Sequence, residues 1–144
     1  MPTNFVLKAQ GFHLNLSPVG FRLWGRHFLA CRRSLIAPTD GFSPVPYFLN
    51  CRAIELELKA RHLETVNQKA IKDTYGHNLE RAYQNLPQNQ QVLTPGEFRA
   101  LQAASNIYRD KGFEYFSVGH AITAFKKFPD LAALDALTLK LVPQ

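Results

Sequence analysis

Cysteines and long apolar runs are both scarce in this chain, and each scarcity excludes a class of protein. Two cysteines, Cys31 and Cys51, among 144 residues rule out the dense disulfide framework of a small secreted scaffold. Both fall on apolar stripes of predicted helices and are expected as free buried thiols. No apolar run approaches the ~20 residues that a membrane-spanning helix needs. Phe5-Val6-Leu7 is too short for the core of a secretory leader, so a soluble, cytoplasmic protein is expected. Metal-ligating patterns are missing too. His13, His27, His62, His77 and His120 are scattered, and neither Cys-x-x-Cys nor His-Glu-x-x-His occurs. No glycine-rich phosphate loop follows a strand pattern, so no metal and no cofactor is expected. Glu55 and Glu57, two apart, diverge on a helix and do not form a paired-carboxylate site.

What is present favours one well-filled domain. Hydrophobic residues make up 46% and charged residues 19%, a balance that folds and is not disordered. Eleven Phe and five Tyr supply bulky interior side chains. The formal charge of +6 is compatible with a polyanionic partner and carries no information about fold.

The periodicity predicts an all-α protein, an antiparallel up-down bundle of four to five helices. Residues 1–16 alternate loosely, as a short strand or an extended arm would; residues 1–17 are expected as a short extended N-terminal arm and residues 18–144 as the helical domain. Ser17-Pro18 is a cap followed by a first-turn proline. Phe21, Trp24, Phe28, Cys31 and Leu35 then follow steps of three and four, a stripe about 80° wide that predicts a core-facing side. Pro38 ends that helix, and residues 37–46 read as a loop.

Residues 47–63 are the most informative. Tyr47, Cys51, Ile54 and Leu58 lie on one face of a helix; Leu49, Ala53, Leu56, Ala60 and Leu63 lie on the opposite one. Between them Glu55 and Lys59, and Glu57 and Arg61, stand four apart in the favourable order. A helix apolar on two sides needs partners on both, which predicts the central element of the bundle. A shorter helix opens at Gly76-His77-Asn78-Leu79 and stops at Pro87, followed by a polar loop over residues 88–91. Thr94-Pro95-Gly96-Glu97 is a capping box, with Phe98, Leu101, Ser105 and Tyr108 on one face beyond it and Gly112 as a stop. Residues 113–118 read as extended. A last helix begins near Asp130 and stops before Pro143.

The ordered segments F-L-N-C-R-A-I-E-L-E-L-K-A, G-H-N-L-E-R-A-Y and N-I-Y-R-D-K-G-F-E-Y resemble the HEPN family over roughly residues 18–142. The resemblance implies a helical bundle and a homodimer. Many active members are metal-independent ribonucleases with an Arg and a His separated by four to six residues in a late helix. There the Arg holds the scissile phosphate and the His handles a proton. Here the matching region, residues 94–115, holds Arg99 and Arg109 but no His, and His120 lies eleven residues beyond Arg109. No catalytic residue is therefore assigned. Arg22 and His27 match the spacing on the first helix, but sit about 140° apart on it.

Two other features stand out. Arg22, Arg26 and Arg33 align within about 40° on the first helix and are the candidate nucleic-acid contacts; the alternative is a solvated face with ion pairs to Glu. Lys126-Lys127 extends the basic character. His77, from G-H-N-L, is expected to satisfy a helix start or to bond across to the second helix. The expected function is a non-catalytic, dimerising module that binds RNA or a protein partner, with Tyr115 and Phe116 as interface anchors. The alternatives are a ribonuclease with a displaced Arg22/His27 site and an interaction protein with no nucleic-acid role.

Overall fold

A computed structural model describes residues 17–36, 38–115 and 126–144. Among these the chain is all-α, with six helices in a bundle and no strand. They are α1 (Pro18–Ser34), α2 (Val45–Leu63), α3 (Gln68–Tyr75), α4 (Leu79–Gln84), α5 (Pro95–Tyr108) and α6 (Leu131–Leu141). None is long and apolar enough to cross a membrane. The predicted arm over residues 1–16 lies outside the described residues, as do Phe116 and His120.

The helix boundaries follow from local chemistry. The Ser17 hydroxyl accepts from the Gly20 amide, and Pro18 occupies the first turn of α1. Asn67, Asn78 and Asp130 cap α3, α4 and α6 in the same way. Thr94 and Glu97 form the expected reciprocal box at the start of α5, at 3.2 and 3.1 Å. After α5 the Gly112 amide reaches back to Ile107 O at 2.8 Å, while Lys111 takes the left-handed conformation with φ 58°.

α2 touches every other helix, and both of its apolar sides are covered. Tyr47, Cys51, Ile54 and Leu58 join the main core with Leu79 and Tyr83 of α4, Leu101 and Ile107 of α5, and Leu134 and Leu137 of α6. Leu56 and Ala60 meet Phe21 of α1 in a second, smaller core. At one end Tyr47, Phe113 and Phe128 pack ring on ring, with centroids 5.1 to 5.5 Å apart.

Four expectations need correction. The buried side of α1 is Phe21, Gly25 and Leu29, whereas Trp24 and Cys31 are exposed. The cause is Gly25. A Cβ there would lie 3.2 Å from Ala53 O and 3.4 Å from Leu56 Cβ, so the missing side chain lets α2 approach along that row. Cys51 is buried as expected, and its burial pushes the thiol pKa up. Next, the bundle has more than four or five helices, because α3 was not foreseen: Ile71 is its single buried residue, too little to mark a stripe. Residues 113–115 are turns rather than extended chain, the Glu114 and Tyr115 amides both bonding Lys111 O. Within the polar loop, Gln88–Gln90 forms one turn of 3₁₀ helix.

Candidate functional site

The arginines singled out on α1 are engaged within the chain. Arg22 Nη2 bonds Glu64 at 2.7 Å and its Nε lies 3.6 Å from Glu57; the Glu64 bond holds its pKa above the ordinary value. Arg26 Nε donates to Pro143 O at 3.1 Å, and Arg33 Nη1 to Gln144 Oε1 at 2.6 Å. His27 is exposed on α1. Arg32, not singled out, grips Asp135 of α6 through two bonds of 2.8 and 2.7 Å.

Glu55 of α2 is a different matter. It is 2% exposed, and a carboxylate so placed requires donors from every side. It has four. Lys59 Nζ donates to Oε1 at 2.6 Å and Arg52 Nη1 to Oε2 at 3.0 Å, both from its own helix. His77 Nδ1, from the α3–α4 connection, lies 2.9 Å from Oε1. The Tyr108 hydroxyl of α5 donates to Oε2. Burial alone pushes the carboxyl pKa up, but the Lys59 charge and hydrogen bond, the Tyr108 bond and the Arg52 charge outweigh it, and the pKa lies below the ordinary value. For Tyr108, burial and the adjacent Glu55 charge both push the pKa up, so its hydroxyl stays a donor. An ionised carboxylate only accepts, so His77 Nδ1 carries a proton and donates it to Glu55.

This cluster floors a cleft of about 490 Å³ between α1, α2 and the α3 segment. The volume falls within the range of small-molecule pockets. Arg52, Lys59, Lys72 and His77 supply its polar rim, and Phe21, Leu56, Leu63 and Ile71 its apolar wall. Trp24, 51% exposed, stands at the edge. Among the described residues no group of His, Cys, Asp or Glu is arranged to hold a metal ion.

Of this site, the reading of the residues had reached His77 and its bond across to the second helix. Glu55 and Lys59 had appeared only as a helix-surface pair, Trp24 only as part of the core-facing stripe of α1, and Arg52 and Lys72 had no assigned role. One signal was available. A helix apolar on two opposite sides leaves its intervening carboxylates little access to water, so Glu55 had to find donors on other segments.

Comparison with known proteins returns no match to a family model, to a curated protein or to a solved structure. The class that the fold defines is an all-α bundle built around a doubly covered central helix.

Proposed function

We propose that this chain is a HEPN-like module that acts as a homodimer and binds RNA without cutting it. The observation that carries this reading is the meeting at Glu55 of all three segments on which the resemblance rests. Glu55 comes from I-E-L-E-L-K-A, His77 from G-H-N-L, and Tyr108 from N-I-Y-R-D. A generic amphipathic pattern does not require distant segments to converge on one buried carboxylate, and their convergence supports a common design. The cleft beside Glu55 supports binding, since it combines cationic side chains with an exposed indole. The arginine strip on α1 contributes less, because Arg22, Arg26 and Arg33 do not line this cleft. The case against cleavage is the absence of a His from residues 94–115.

The test is fluorescence anisotropy with a labelled single-stranded RNA, followed by incubation of a mixed RNA without metal. Binding is expected to weaken as salt rises, with a slope of about −2 on a log–log plot if three phosphates are contacted. The RNA is expected to stay intact. Cleavage that disappears in His27→Ala would replace this reading with the ribonuclease one. No retention of RNA or DNA, even at low ionic strength, would leave an interaction protein with no nucleic-acid role.

A further inference from the structure

We infer that the cleft between α1, α2 and α3 is a subsite for a terminal phosphate monoester on a nucleotide, the 5′-phosphorylated end of a strand. The inference rests on the RNA-binding reading for its natural ligand and goes further in naming what part of the strand is held.

Charge supplies the first argument. Arg52, Lys59 and Lys72 face a single carboxylate, Glu55, so these four side chains leave two positive charges in the cleft. A phosphate monoester carries close to two negative charges near neutral pH, whereas an internal phosphodiester carries one. Arg52 and Lys59 each direct a donor to Glu55 and retain further N–H groups for a ligand. Lys72 is exposed and forms no ion pair among the described residues.

Shape and the remaining groups agree. A volume of about 490 Å³ suits one nucleotide rather than a run of them. The apolar wall and the edge of Trp24 offer an aromatic ring a surface on which to stack. His77 is fixed through Nδ1 on Glu55, which leaves Nε2 to pair with a ribose hydroxyl, a group that can both donate and accept.

The chain contains one tryptophan, and it lines this cleft, so its fluorescence reports occupancy directly. The intact chain is titrated with one short RNA in 5′-phosphorylated and 5′-hydroxyl forms, and with adenosine 5′-monophosphate, adenosine and inorganic phosphate. The phosphorylated RNA is expected to bind at least about tenfold tighter than its hydroxyl form, the scale of one lost charge-assisted contact. The monophosphate is expected to quench Trp24, and adenosine and phosphate alone to bind far more weakly. Lys72→Ala, a change at an exposed position that leaves the fold intact by circular dichroism, is expected to abolish the preference. Arg81→Ala, which removes an exposed cation on α4 outside the cleft, is expected to keep it. Equal binding of the two RNA forms overturns the end-group inference while leaving the RNA-binding module standing. Binding of the monophosphate with no RNA binding keeps the cleft and removes the module. Inorganic phosphate binding as tightly as the monophosphate overturns the nucleotide part of the assignment.

Discussion

Glu55 stabilises the fold only while it is ionised. Its donors come from three separate segments, so removing the charge leaves Lys59 and Arg52 facing each other with no carboxylate between them. Glu55→Gln is expected to lower stability by about 3–5 kcal/mol, the scale for breaking a buried ion pair, read from the urea midpoint at neutral pH. The pH dependence follows from the direction of the shift. A carboxyl with a folded pKa below its unfolded value of about 4.3 contributes its full stability above that value. The contribution is lost as pH falls through the folded pKa. The melting temperature of the wild-type chain is therefore expected to drop below about pH 4.3, and the drop is expected to be shallower in Glu55→Gln. An equal slope in both proteins would show that other carboxyls govern acid unfolding.

Helices α1 and α2 show how much of the fold could be read in advance and where reading stops. The double-sided pattern of residues 47–63 predicted the central rod, because large apolar residues on both sides leave few alternatives. On α1 the same weighting erred. Trp24 and Cys31 counted toward a stripe, while Gly25, with no side chain, counted for nothing, yet the glycine sets the contact row. Helix α3 went unseen because its evidence lies in its ends, the Asn67 cap and Gly76 with φ 51°, rather than in its sides. The Glu55 cluster was hidden for another reason: periodicity registers neighbours along one helix and is blind to donors from other segments. Gly25→Leu is expected to destabilise by about 1–3 kcal/mol, since overpacking must push back the α2 backbone. Gly20→Ala meets only Ser17 Oγ at 3.7 Å and is expected to stabilise by up to about 1 kcal/mol. Thermal melts of the two variants moving in opposite directions would establish the α1 register; a neutral Gly25→Leu would contradict it.

For the molecule as a whole, α1 packs along α2 and leaves two large apolar side chains of its first half in the open, Val19 72% and Leu23 64% exposed. Tyr115, proposed as an interface anchor, is also exposed. Light scattering at high protein concentration is expected to give the mass of two chains, and Leu23→Glu to halve it; a monomer for the unaltered protein would remove the dimer from the proposal. The three arginine ties from α1 to Pro143, Gln144 and Asp135 join segments far apart in the chain. The contacts of α2 extend this further, since every neighbour of that rod comes from a different stretch of sequence. Among the described residues, the covering of α2 therefore draws on segments both before and after it in the chain. A cut between α2 and α5 would strip one flank of the rod, and the two fragments are expected to lose helicity by circular dichroism when separated. Amide protons of residues 50–60 are accordingly expected to exchange with one common opening free energy, equal to that of global unfolding, as read by hydrogen exchange at neutral pH.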